Sequence, residues 1–158
     1  MQNGSVEAIY TAEREGVLPS ARDAVNAVAG KGLEGDRYFD DAGTYSDDPR
    51  SEGRDITLVE AEAVEGLARD TGIELAPAET RRNVVTRDVA LNDLVGRQFT
   101  VGEAVCVGRE LCHPCSHLQT LTQPGVLKGL VNRGGLRADI VRGGQIKPGD
   151  ELRELADG

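Results

Sequence analysis

Short runs of alternating or β-branched residues, each closed by glycine or proline, constrain this chain more than any other feature. Side chains of a strand alternate between its two faces. The run 5–11, with Val6, Ala8 and Tyr10 set against Ser5, Glu7 and Ile9, therefore reads as a strand. Runs at 24–29, 54–58, 84–86, 98–101, 104–111 and 135–141 have the same character, and 151–155 closes the chain. Gly102 and Glu103 predict a tight hairpin between 98–101 and 104–111. Val64, Leu67 and Ala68 fall at helical spacing, with Gly72 as a stop, and predict one longer helix. Thr57 and Glu60 have the spacing of a capping box that would open it. Residues 91–96 and 126–132 read as turns or short helices, and 32–38, 77–83 and 143–150 as turns. The acidic, unperiodic passage 39–53 reads as a mobile loop. There is no βαβ alternation, internal repeat or dividing linker. The expectation is one mainly β, antiparallel, barrel-like domain over 1–158, its longer helix outside and its other helices short.

The cysteines and histidines narrow the chemistry. Cys106, Cys112, Cys115, His113 and His117 all fall within 104–118. Val105 and Val107 put Cys106 in mid-strand, where a thiol packs as a small hydrophobe. Pro114 lacks an N–H and breaks the ladder, so Cys112 and Cys115 are expected on a turn just beyond the strand. Their spacing is compatible with a dithiol oxidoreductase, but that chemistry normally sits in a βαβ setting. Cys112, Cys115 and His117 could join a zinc site, but the second ligand pair is missing. Burial as inert thiols is the plain alternative, and ligation of a soft metal by thiolate is the fourth reading. His113 and His117 could tune a thiolate or carry protons near neutral pH, or simply hydrogen-bond the turn.

Bulk properties exclude several classes of function. A length of 158 residues is enough for one domain with a real core. Two Phe, three Tyr and no Trp leave that core to Val, Leu, Ile and Ala. A net charge of −9 argues against nucleic acid and anionic membrane as partners. No apolar run approaches membrane-spanning length, and the first residues have no signal-peptide pattern. A cytoplasmic protein with reduced thiols is expected, and the odd count of three cysteines agrees. Abundant Asp and Glu with only Lys31, Lys128 and Lys147 as lysines fits a salt-adapted surface or an arginine-favouring genome.

Several pieces, in order, resemble the MOSC family, the domain at the C-terminus of molybdenum cofactor sulfurases that also occurs as small standalone proteins. They are Gly32-Leu-Glu-Gly-Asp-Arg37, Arg54-Asp-Ile-Thr-Leu58, Arg81-Arg-Asn83, and Leu94-Val-Gly96 with Phe99 and Gly102. Cys112-His-Pro-Cys115, Gly134-Gly-Leu-Arg-Ala138 and Pro148-Gly-Asp150 complete the set, which covers nearly the whole chain. The resemblance implies a β-barrel fold and a pocket for the molybdenum cofactor, a phosphate-bearing pterin dithiolene (molybdopterin). It implies that Lys31, Arg37, Arg81, Arg82 and Arg137, with Asn83 as a polar partner, hold that cofactor. It ranks Cys115 as the molybdenum ligand or persulfide carrier, with Cys112, His113 and His117 beside it in catalytic roles. The activity implied is reduction of N-hydroxylated compounds or sulfur transfer, with a redox or sulfur-donor protein as partner. A non-catalytic cofactor or sulfur carrier is the alternative.

Overall fold

The computed structural model describes residues 3–11, 20–34, 55–71, 82–111 and 135–155. The strands are β1 (Asn3–Thr11), β2 (Ser20–Ala21), β3 (Val25–Val28), β4 (Gly32–Leu33), β5 (Ile56–Glu60), β6 (Val84–Arg87), β7 (Gln98–Val101), β8 (Ala104–Leu111), β9 (Leu136–Arg142), β10 (Gly144–Ile146) and β11 (Glu151–Glu154). Helix α1 covers Ala61–Thr71, and a 3-10 turn covers Leu91–Leu94.

Seven strands close on themselves in the order β1, β11, β7, β8, β9, β5, β6 and back to β1, forming a mixed barrel. Strand β2 extends β1, and β10, β3 and β4 form a separate small sheet. Closure removes the free edges that an open sheet would expose for aggregation. The interior is filled from alternate positions of the barrel strands: Ile56 and Leu58, Val84, Phe99 and Val101, Ala104 and Cys106, Leu136, Ala138 and Ile140, and Leu152. In β1 a register shift after Val6 turns both Val6 and Ile9 inward and leaves Ala8 and Tyr10 outside, against the simple alternation expected there. Phe99, Leu58 and Leu136 are fully enclosed. Each such side chain contributes about 1.5–3 kcal/mol through removal from water. On the outer face Val59, Val85 and Ala61 cluster with Ala8 and Tyr10, where α1 covers β5 and β6. No helix of the described residues is long and apolar enough to cross a membrane.

The barrel matches the sequence-based expectation, and so does the hairpin of β7 and β8, which pairs Val101 with Ala104. Three local expectations are corrected. Thr57 does not cap α1. It lies inside β5, between buried Ile56 and Leu58, and the helix begins directly after the strand at Ala61. Glu60 Oε2 accepts the Leu91 N–H at 3.2 Å and anchors the 3-10 turn. The β-branched pair Ile56-Thr57 favours the strand, and cross-strand partners for the Thr57 hydroxyl outcompete a local cap. One βαβ unit is present after all: β5 and β6 pair in parallel through α1, Leu58 opposite Val84. Its crossover helix is the one the periodicity predicts, but sequence alone does not set strand direction. Finally, two passages read as turns contain short strands, Gly32–Leu33 and Gly144–Ile146, because each pairs with β3. The loop expected at 39–53, the helix at 126–132, Gly72 and most of the turn at 77–83 lie outside the described residues.

Candidate functional site

Strand β9 is the centre of the site. Leu136, Ala138 and Ile140 face the core, so Arg137 and Asp139 project from the outer face. Arg137 pairs with Thr57 of β5 on one side and with Glu110 of β8 on the other. Its Nη1 donates to Glu110 Oε1 at 2.5 Å. The arginine side chain is 12% exposed and the glutamate 57%, so the carboxylate reaches in from solvent to an enclosed guanidinium.

That pairing depends on a bulge. Gly108 faces Ala138 and Glu110 faces Arg137, which leaves Arg109 as the extra residue on β8. In an unbulged register Arg109 would oppose Arg137, setting two like charges face to face. The bulge delivers Arg109 and Glu110 to complementary partners instead: Arg109 Nε donates to Asp139 Oδ2 at 2.9 Å, and Glu110 accepts from Arg137. Strand β8 then ends at Leu111, opposite Leu136. In sequence, Cys112 is the next residue after that strand end.

On the other side of Thr57 stands Asn83. The Thr57 backbone N–H and hydroxyl both donate to Asn83 Oδ1 at 3.1 Å. The Asn83 N–H donates back to the Thr57 hydroxyl at 3.0 Å, and its side-chain Nδ2 donates to the Tyr10 carbonyl at 3.1 Å. Asn83 is buried, and this double bracket explains how an amide is accommodated there. The carboxamide expected to face a cofactor is thus engaged in joining β1, β5 and the start of β6. Its neighbour Arg82 is half-buried and enters β6 beside the bracket.

Lys31 occupies the exposed turn between β3 and β4, its N–H donating to the Val28 carbonyl at 3.0 Å. The turn is docked on β9, where the Gly30 N–H donates to the Ile140 carbonyl at 3.3 Å. Gly32, at φ +120°, lets it approach, since a Cβ there would stand 2.8 Å from the Asp55 carbonyl oxygen. Asp55 is buried, and its Oδ2 accepts the Ile140 N–H at 2.9 Å. A row of polar residues thus crosses adjacent strands from Tyr10 through Asn83, Thr57 and Arg137 to Glu110, with Arg82 at its side and the Lys31 turn tied to β9 farther along.

Cys106 stands apart from this row. It faces the core opposite Ile140 and is fully enclosed. Burial first, then the charges of Asp55 and Asp139, push its thiol far above the usual range. It has no use as a nucleophile at neutral pH. Cys112, His113, Cys115, His117, Arg37 and Arg81 lie outside the described residues. Among the described residues no three Cys, His, Asp or Glu side chains gather as a metal site. A shallow groove lined by Arg22, Asn26, Glu34 and Gln145 lies on the small sheet and contains none of the residues that the resemblance implies as catalytic or cofactor-binding. Sequence reasoning missed Glu110 and Thr57 as parts of the site; the charge alternation of Arg109-Glu110 opposite Arg137 and Asp139 was the available signal.

The donor set has a definite chemical character. Guanidiniums at Arg82 and Arg137 and an ammonium at Lys31 suit a phosphate-bearing anion even on a protein of net charge −9. They fit the anionic part of a molybdenum cofactor.

Comparison with solved structures agrees with this architecture. The YuaD protein of Bacillus subtilis superposes with a TM-score of 0.81 at 19% identity, covering 99% of this chain and 97% of its own. YiiM of Geobacillus stearothermophilus gives 0.75 at 15% identity, covering 98% and 76%. YiiM of Escherichia coli gives 0.69 at 18% identity, covering 100% and 72%. At these identities the likeness concerns the fold. No curated protein matches the sequence. The MOSC domain family matches residues 44–153, from before β5 into β11, and the chain therefore belongs to that family.

Proposed function

We propose that this protein binds the molybdenum cofactor and works with a partner protein, as a reductase of N-hydroxylated compounds or as a sulfur-transfer enzyme. The observation that carries this reading is the placement of Arg137. It is an enclosed guanidinium beside the strand end that leads into Cys112-His-Pro-Cys115, in a chain of the MOSC family.

The cofactor, when bound, supplies two-electron chemistry at molybdenum. Lys31, Arg37, Arg81, Arg82 and Arg137 would hold its phosphate and pterin. Asn83 supports them from beneath by fixing β5 against β1 and β6. Cys115 would present its sulfur to the metal, or carry it as a persulfide, and Cys112 assists. His113 and His117 would favour the thiolate when charged and hold protons at their ring nitrogens. Reduction of an N–OH group breaks the N–O bond and consumes two electrons and two protons, releasing an amine-type product and water. The electrons come from the partner, which is a redox protein for reduction and a sulfur donor for transfer.

The test is purification from a cofactor-producing host, followed by metal and pterin analysis. Reduction of an N-hydroxylated base is then assayed with an artificial electron donor. Bound pterin with turnover is the expected result. Bound pterin without turnover reassigns the protein as a carrier, and zinc alone overturns the cofactor reading. Cys115→Ala is expected to lose molybdenum or labelled persulfide while Cys112→Ala keeps it; the opposite pattern exchanges their roles.

A further inference from the structure

We infer that Glu110 is a positioning residue for anion recognition by Arg137, set in place by the Arg109 bulge. The inference rests on the cofactor reading above and adds a residue that lies outside the family motifs in the sequence. Arg137 is the more enclosed partner, at 12% exposure, and Glu110 the more exposed, at 57%. A guanidinium is a planar fork whose donors move as one unit. Holding Nη1 on a carboxylate therefore fixes where the whole group presents its remaining edges.

The register supports a dedicated arrangement. The shift between Gly108 and Glu110 brings an acid, rather than Arg109, opposite Arg137. Bulges of this kind commonly re-aim side chains next to active sites. Arg109 is in turn held by Asp139 at 2.9 Å, so the two neighbouring cations are each given their own acid. In sequence Glu110 lies two residues before Cys112.

A mere surface ion pair and a positioning pair differ in what their loss does. Loss of a surface pair shifts the melting temperature slightly and changes no affinity. Loss of an orienting partner lowers affinity with little change in stability; at metal sites such partners carry roughly 10- to 100-fold. The experiment compares wild type, Glu110→Gln and Arg137→Ala, purified from a cofactor-producing host. Pterin retained per chain after dialysis and the thermal midpoint are measured. Glu110→Gln keeps an acceptor of the same size and is expected to retain about tenfold less pterin, at a nearly unchanged midpoint. Arg137→Ala is expected to lose at least as much. Loss in Arg137→Ala with full retention in Glu110→Gln overturns the role of Glu110 alone. Tighter retention in Glu110→Gln also overturns it, by making Glu110 a competitor of the ligand. If the wild type carries no pterin, the cofactor reading fails, and the role of Glu110 is then read with inorganic phosphate as probe. Phenylglyoxal modification of Arg137, followed by mass spectrometry, is expected to be slowed by phosphate in wild type but not in Glu110→Gln. Equal protection, or none, in both proteins overturns the inference independently of the cofactor.

Discussion

The Thr57 hydroxyl and Asn83 exchange hydrogen bonds across the parallel β5–β6 junction: the hydroxyl donates to Asn83 Oδ1 at 3.1 Å and accepts the Asn83 N–H at 3.0 Å. The exchange sits where α1 returns the chain to the barrel and where antiparallel pairing gives way to parallel. Replacing Thr57 by Val removes the hydroxyl at constant size, while Asn83 Oδ1 keeps the Thr57 backbone N–H and the Asn83 N–H keeps the Thr57 carbonyl at 3.0 Å. Loss of the hydroxyl's hydrogen bonds costs about 0.5–1.5 kcal/mol. Thr57→Ser is expected to recover most of it. In urea unfolding, Thr57→Val and Asn83→Ala should be non-additive, with a coupling of roughly 0.5–3 kcal/mol. Simple additivity would show that the bracket does not act as a unit.

Gly135, at φ +111°, opens β9, and a Cβ there would collide with the Leu58 carbonyl oxygen of β5. Gly149 has φ +94° but open space around it. Both positions charge an alanine for left-handed backbone, on the order of 1–3 kcal/mol. Only Gly135→Ala also forces β5 and β9 apart, next to the Thr57–Arg137 pair. Chemical denaturation should find Gly135→Ala the more destabilised of the two and Arg137 more open to phenylglyoxal. Equal losses at the two glycines would count against the close approach.

Cys106 should be chemically silent in the folded protein. In a Cys112→Ala/Cys115→Ala background it is the single thiol, and a neutral disulfide reagent should label it only on unfolding. Burial raises its folded-state pKa, so the protonated thiol is favoured by the fold. Its contribution is complete below the ordinary thiol range, begins to fall there as the unfolded chain releases its proton first, and goes on falling as pH rises toward the raised folded-state value. Stability should therefore fall more steeply on the alkaline side in wild type than in Cys106→Ala. Rapid labelling of the native protein would refute the burial.

Arg87 bridges Glu7 and Glu65, with Nε on Glu7 and Nη2 on Glu65, both at 2.7 Å. The hydrogen bond from Arg87 holds the Glu65 carboxyl below its usual range. A lowered carboxyl pKa contributes stability above the unfolded value and loses it as pH falls through the folded one. An NMR titration should find Glu65 titrating below the usual carboxylate range in wild type and within it in Arg87→Gln. Added salt should narrow the difference, because the pair is exposed to solvent. An unmoved titration in the variant would assign the shift elsewhere.

The sequence by itself determined most of the barrel strands, the one longer helix and the barrel class. Alternation of core residues such as Leu136, Ala138 and Ile140 is a local signal, and glycine punctuation marks where each run must stop. It also determined that Cys106 is a core thiol, since it lies between β-branched neighbours. The ordered motifs placed the chain in its family and singled out Arg82, Asn83 and Arg137. Only the tertiary structure decided what those residues touch. Thr57 reads as a cap in one dimension and becomes a cross-strand partner of Asn83 in three, because a hydroxyl takes the donor and acceptor that packing brings nearest. The parallel direction of β6, the extra residue at Arg109 and the meeting of Glu110 with Arg137 are all matters of register. Register is set by pairing between distant strands, and a shift of one residue there would have placed Arg109 against Arg137.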